Sequence, residues 1–323
     1  MNKYKITIAQ ISKVLERSKN IYLASHINPD GDSIGSIMAL GLALEQLDKN
    51  IKFIKTDTIP NTFNFLPDID RLQKFDNVEA DILFILDCGS KDRIGEYKKF
   101  IDKSKLVINI DHHLDNNNFG DINLVDAQSS STGEIVFNVI EGLALNINKD
   151  IASYLYTAIS MDTGRFMYDK VDHSTHEIVS KLIRQGIDKD EININLYQKR
   201  SMPATKLFIE GLSSLKTYSE DKIATVKITQ DSIKMTNADI DETDGIISFI
   251  RDIDTVEVAC LLKEINDKEV KLSLRSKRTI DVSSICNVFN GGGHKKAAGC
   301  TIYEDIELAE ELIVKEIEKA LET

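Results

Sequence analysis

The 323-residue chain is 42% hydrophobic and 28% charged, the balance of a soluble globular protein, and its length predicts about two domains. Its formal net charge of −12 argues against a protein that coats long nucleic acid, and suits a short anionic substrate met by a local basic patch. No apolar run approaches the roughly 18 residues that span a bilayer, and the opening MNKYKITIAQISK lacks a signal peptide's apolar core, so a cytoplasmic protein with no membrane partner is expected.

In chain order, short apolar runs at 20–25, 51–56, 81–87, 105–111 and 121–126 predict strands. Between the first two, SIGSIMALGLALEQLDK repeats apolar residues at helical spacing: Ile34, Ile37, Met38, Leu42, Leu44 and Leu47. Near-continuous apolar strands alternating with helices predict a parallel sheet covered on both faces, filling a first domain over 1–190. Further helices are expected over 130–143, with a Ser131–Glu134 capping box, over 150–164, and over 173–186, with a Ser174–Glu177 box and Gly186 as its stop. An irregular polar stretch containing Pro203 reads as a connector over 191–215. A smaller α/β domain with a mixed sheet follows over 216–323. It holds a strand at 222–229, a helix at 242–253, a hairpin turning at 266–268, a helix near 281–289, the segment NGGGHKKAAGC, a short strand TIY and a charged terminal helix.

Ligands of such sheets gather at the carboxyl ends of the strands. His26, Asp30 and Asp32 follow the first strand, Asp87 ends another, Asp111, His112 and His113 end a third, and Asp162 ends a helix. Singly, each reads as a turn former, a cap or a satisfied structural histidine. Jointly, so many carboxylates would repel one another unless a cation sits among them. Carboxylates with imidazoles suit Mn²⁺, Mg²⁺ or Fe²⁺ better than structural zinc. Four scattered cysteines without a C-x-x-C pair also weigh against zinc and against a disulfide framework. With at least six ligand candidates, two ions sharing a carboxylate are expected, a pairing that can activate a bridging hydroxide for phosphate-ester hydrolysis. Gly31 and Gly35 are expected to let the backbone approach the ions, with positive φ available to them.

The segments HINPDGDSIGS, DCGS, DHH and MDTGRF, in this order, resemble the four motifs of the DHH phosphoesterase family. That family includes the RecJ exonuclease, manganese-dependent inorganic pyrophosphatases and the bacterial nanoRNase/pAp phosphatases. The GGGHKKAAG segment, 291–299, resembles the DHH-associated C-terminal domain of the nanoRNase group. The resemblance implies one ion on His26, Asp30 and Asp87, and a second on Asp32, Asp87, His112 and Asp162, with Asp87 bridging. It makes His113 the residue that faces the substrate, as a donor to the phosphate or an acid near the leaving oxygen, and gives Asp111 the task of supporting the histidines. It places Arg275, Ser276, Gly291, Gly292, Gly293 and His294 on the substrate's terminal phosphate or nucleotide, with Arg165, Lys277 and Arg278 as secondary candidates. Consecutive glycines do let amides approach an anion, although a plain Gly-rich hairpin loop is the competing reading.

The implied activity is metal-dependent hydrolysis of RNA oligonucleotides of about two to five nucleotides to mononucleotides, and of the nucleotide bisphosphate pAp to AMP. A hydroxide bridging two ions would attack in a cleft between the domains, and Mn²⁺ leads Mg²⁺ and Fe²⁺ as the metal. Stable binding of long nucleic acid is not expected, and a homodimer is compatible with the apolar helix faces. Cyclic di-AMP or pApA hydrolysis is the alternative; inorganic pyrophosphatase and a non-catalytic nucleotide-binding protein rank lower. His173 and His176 flank a helix cap and are expected to face water, and Cys88 has no base placed to activate it.

Overall fold

A computed structural model describes residues 3–243 and 245–322, which divide into two compact units, Met1–Lys199 and Arg200–Thr323. In the first unit, α1 (Lys5–Glu16), β1 (Asn20–Ala24), α2 (Gly31–Leu44), β2 (Asn50–Ile54), β3 (Leu72–Gln73), β4 (Ile82–Leu86), β5 (Val107–Asp111) and β6 (Ile122–Val125) lead into four helices. These are α3 (Thr132–Gly142), α4 (Lys149–Asp162), α5 (His173–Arg184) and α6 (Lys189–Tyr197). Every strand pairing is parallel, in the order β3-β2-β1-β4-β5-β6. The chain winds outward from β1 to β3, returns, and winds the other way from β4 to β6. That reversal leaves a crevice beyond the carboxyl ends of β1 and β4, the usual place for a ligand on a doubly wound sheet.

The central strands β4 and β5 are buried on both faces. In β4, Ile82, Phe84 and Leu86 join the core built with α1 to α5, while Leu83 and Ile85 join Tyr97, Phe100 and Ile101 on the other side. That second face is covered by a 3₁₀ segment, Lys91–Phe100, kinked at Gly95. The positive φ of Gly95 breaks the helical run there.

Gly31 and Gly35 act in packing. Neither has positive φ, and a Cβ on Gly35 would lie 2.5 Å from the Tyr154 carbonyl oxygen, so bare backbone is what lets α2 lie on α4. The caps also differ from expectation. Ser131 Oγ accepts the Glu134 N–H, but the Glu134 carboxylate turns to the Ser130 N–H and hydroxyl instead of completing the box. On α5 the box is Asp172 with Thr175, two residues earlier than expected, because the Asp172 carboxylate takes the Ser174 and Thr175 amides.

The second unit begins with α7 (Met202–Ser213), whose first turn holds Pro203. The stretch 191–215 is therefore mostly helical, with the unit boundary after Lys199. There follow β7 (Lys216–Tyr218), β8 (Ile223–Ile228), α8 (Gln230–Thr236), α9 (Ile246–Arg251), β9 (Val258–Asn266), β10 (Glu269–Ser276), α10 (Val282–Asn287), β11 (Gly292–His294), β12 (Ala297–Ile302) and α11 (Ile306–Leu321). The sheet order is β11-β12-β10-β9-β8-β7, antiparallel except between β8 and β9. One face carries Leu272, Leu274 and Cys260 into a core with α10 and α11, and the other carries Val226, Ala259 and Leu261 against α7 and α9. Among the described residues no helix is long and apolar enough to cross a membrane.

Candidate metal centre

Four segments deliver the site's side chains to the crevice. His26 follows β1, and Asp30 caps α2: its carboxylate accepts the Ser33 N–H at 3.0 Å, while its own N–H donates to Ser33 Oγ at 2.9 Å. Asp32, in the first turn of α2, is fully buried. Its two oxygens accept the Thr132 N–H at 2.7 Å and the Gly133 N–H at 2.8 Å, the first amides of α3. Asp87 leaves β4 with φ 56°, a left-handed turn that aims its carboxylate across the crevice, where Thr132 Oγ1 donates to it at 3.0 Å. Asp111, His112 and His113 end β5, and Asp162 ends α4.

These side chains form two groups that share one member. His26 Nε2 lies 3.4 Å from Asp87 Oδ2 and 3.9 Å from Asp30 Oδ2. His112 Nε2 lies 3.3 Å from Asp162 Oδ2, 3.7 Å from Asp87 Oδ1 and 3.8 Å from Asp32 Oδ2. Within each of the sets His26–Asp30–Asp87, Asp32–His112–Asp162 and Asp87–His112–His113, the ligand atoms lie within 4.8 Å of one another. The histidines are oriented by their other nitrogens. His26 Nδ1 meets the Ile27 carbonyl at 2.7 Å, His112 Nδ1 the Ser129 carbonyl at 3.4 Å, and His113 Nδ1 the Asp111 carboxylate at 2.7 Å. This leaves Nε2 of His26 and His112 facing the carboxylates, the arrangement by which ligating imidazoles are normally held. Asp111 is itself fixed by the His112 N–H at 2.8 Å and by Asn116 Nδ2 at 2.5 Å.

The electrostatics show the strain of so much like charge. Burial, followed by the charges of Asp87 and Asp162, drives Asp32 well above the carboxylate range. Burial and Asp87 raise Asp30, and burial with the Asp87 and Asp30 charges lifts Asp162 to about 6. Burial also works against ionised Asp87, but His26, His112 and His113 outweigh it and hold Asp87 at about 2. Burial opposes protonation of His113, yet the Asp111 hydrogen bond and the Asp87 charge overcome it and raise the group to about 9. A divalent cation in each group would relieve the repulsion. The donors are hard carboxylate oxygens and imidazole nitrogens, which fit an ion such as Mn²⁺ or Mg²⁺. Cys88 contributes no thiolate: it is buried, its Sγ–H points to the Ser90 carbonyl, and burial pushes it up to about 12.

The other expected site residues are dispersed. In the second unit, Arg275 pairs with Ala297, which pairs with His294, so Arg275 and His294 share one sheet face with a small residue between them. Ser276 points to the opposite face and is buried, its Oγ without a partner. Gly291, Gly292 and Gly293 run into a hairpin with β12, and Gly293, at φ 146°, has its would-be Cβ 2.5 Å from the Ala297 carbonyl oxygen. Lys277 Nζ donates to the Ile253 carbonyl at 2.5 Å, and Arg278 pairs with Glu257. Arg165 is exposed, with its guanidinium 4.3 Å from the centre of the Tyr197 ring. His173 and His176 are exposed on α5. Sequence reasoning passed over Arg93, whose Nη1 lies 3.4 Å from His113 Nε2, and over the α3 amides that hold Asp32. The signal for Arg93 was its place in SKDRIG, directly after DCGS.

Carboxylates and imidazoles at the switch point of a parallel sheet define a divalent-cation centre on an α/β scaffold. Residues 20–159 match the model of the DHH family, N-terminal domain, and residues 221–323 that of the DHHA1 domain. The chain belongs to the DHH phosphoesterase family and carries a DHHA1 domain over residues 221–323. It is 28% identical to the bifunctional oligoribonuclease and PAP phosphatase NrnA of Thermus thermophilus, over 97% of this chain and 93% of that one. It is 25% identical to the protein of the same name from Bacillus subtilis, over 91% and 93%. A crystal structure of an exopolyphosphatase-related protein from Bacteroides fragilis superposes with a TM-score of 0.92 at 30% identity, covering 97% of this chain and 96% of that one.

Proposed function

We propose that the protein hydrolyses the phosphodiester bonds of very short RNA and the 3′-phosphate ester of pAp. Two groups of hard donors meeting at Asp87 are the observation that carries this reading. His26, Asp30 and Asp87 would hold one divalent cation, and Asp32, Asp87, His112 and Asp162 a second, with Mn²⁺ the leading candidate. Such a pair supplies a nucleophile at neutral pH and offsets charge on the phosphate. The chain's own groups do the rest. The α3 amides and Thr132 keep Asp32 and Asp87 fixed, so the donor set is preorganised. His113, held through Nδ1 by Asp111 and with Nε2 3.4 Å from Arg93 Nη1, would serve as a proton donor to the phosphate or the leaving oxygen. In the second unit, Arg275 and His294 offer cationic and hydrogen-bonding groups to a further substrate phosphate, and the acidic whole disfavours long strands. The two NrnA relatives carry names that match this substrate pair.

The test is a substrate panel with added Mn²⁺: an RNA trinucleotide, pAp, pApA, cyclic di-AMP, pyrophosphate and a long RNA. Turnover of the trinucleotide and pAp, lost in Asp87→Ala, supports the reading. Full activity in Asp87→Ala, or turnover of pyrophosphate alone, overturns it.

A further inference from the structure

Arg93 lies in the 3₁₀ segment after β4, and its backbone is pinned to the loop that carries His26. Its carbonyl accepts the Ile27 N–H at 2.7 Å, and two residues later a Cβ on Gly95 would lie 2.6 Å from Ile27 Cγ2. The side chain is half-buried, and Nη1 stands 3.4 Å from His113 Nε2. That separation exceeds a strong hydrogen bond, so it leaves guanidinium donors unused. Among the described residues no carboxylate lies within ion-pair distance of Arg93, whereas Arg71, Arg251 and Arg278 pair with Glu45, Asp252 and Glu257. A partly desolvated guanidinium without a counter-charge is costly, and an anion delivered by a ligand removes that cost.

We infer that Arg93 and His113 together form the anion clamp of this site, in which the guanidinium grips the non-bridging oxygens of the phosphate being hydrolysed. The inference rests on the proposed phosphoesterase reading and adds a residue to it. A planar fork matches two phosphate oxygens, which a lysine at the same place does only as a point charge. The position follows from geometry: His113 is tethered to Asp111 on one side and meets Arg93 on the other, and its Nδ1 lies 3.7 Å from the Asp87 carboxylate shared by the two cation groups. The backbone bond to Ile27 keeps the guanidinium's base in register with His26, so the clamp and the cation groups form one rigid assembly.

The experiment compares Arg93→Gln and Arg93→Lys with the unaltered protein. With cation bound, Arg93→Gln should bind inorganic phosphate about 10- to 100-fold more weakly. Its kcat/KM for a dinucleotide should fall about 10²- to 10³-fold. Arg93→Lys should recover part of both, while cation stoichiometry and the urea midpoint stay unchanged. A residue that merely packs would leave phosphate affinity untouched, and equal phosphate binding in Arg93→Gln overturns the clamp. If either variant fails to fold, nitrogen NMR of the unaltered protein decides. Phosphate should shift the Arg93 Nη and His113 Nε2 resonances, and unmoved resonances also overturn the clamp. Full activity in Asp87→Ala would instead sink the underlying reading, whatever Arg93 does.

Discussion

Asp87 Oδ2 stands 3.4 Å from His26 Nε2, and the other oxygen of the same carboxylate reaches within 3.7 Å of His112 Nε2. One side chain thus faces both donor groups. Each group should then be separable: His26→Ala should lose one equivalent of bound Mn²⁺, and Asp162→Ala the other. Calorimetric titration of the metal-free variants reads this directly, and an unchanged stoichiometry in both would refute the division.

Asp111 acts through its neighbours, taking the His112 N–H and facing His113 Nδ1. Asp111→Asn keeps the shape but lets His113 adopt the wrong tautomer. Loss of such an outer partner commonly costs about 10- to 100-fold in activity or affinity. We expect that loss in kcat with little change in KM. Steady-state kinetics on a dinucleotide will show whether KM moves instead.

The cation affinity should rise with pH. Burial and neighbouring carboxylates lift Asp162 to about 6, so at pH 5 it holds a proton that a cation must displace, and the raised Asp30 and Asp32 act in the same direction. His26, raised despite its burial by its bond to Asp87, adds to the same trend because only its neutral form ligates. For the metal-free fold the sign is the reverse. The raised Asp162 contributes stability fully present below its unfolded value near 3.8, and loses it as pH rises through about 6. The cation-induced increase in thermal midpoint should therefore grow between pH 5 and pH 8, and a constant increment would speak against protonated carboxylates in the empty site.

Gly35 provides a stability test that needs no ligand. A Cβ there would lie 2.5 Å from the Tyr154 carbonyl oxygen and 2.8 Å from Ala158 Cβ, both on α4. Since backbone cannot yield cheaply, Gly35→Ala should cost about 1–3 kcal/mol. Urea unfolding gives the number, and a neutral or stabilising result would show that α2 and α4 are less tightly apposed.

In the second unit, Arg275 and His294 share a sheet face across Ala297. Arg275→Gln should raise KM for pAp by about 10- to 100-fold while leaving kcat near its starting value. A fall in kcat alone would indicate a role other than substrate binding.

Much of the site was legible because its residues sit where β-strands end. Apolar runs located β1, β4 and β5, and the first titratable residues at their carboxyl ends were His26, Asp87 and Asp111 to His113. What stayed hidden depends on contacts between distant segments. The α3 amides reach Asp32 from 100 residues away, and no local pattern announces them. That Gly31 and Gly35 pack on α4 without positive φ stayed hidden for the same reason: a packing glycine and a turn glycine look alike until the neighbouring helix is in place. The two residues of β3 are too few to show a period. Other signals were present and unused. Tyr4, Ile8, Ile11 and Leu15 mark α1, and strand alternation alone separates Arg275 from Ser276.

The shared carboxylate is the centre of the account, and the decisive measurement is Mn²⁺ titration of metal-free Asp87→Ala, followed by assay on an RNA trinucleotide. The account predicts two bound equivalents in the unaltered protein, loss of tight binding at both positions in the variant, and no hydrolysis. Two equivalents bound by Asp87→Ala at unaltered affinity, with the trinucleotide still cleaved, would contradict it.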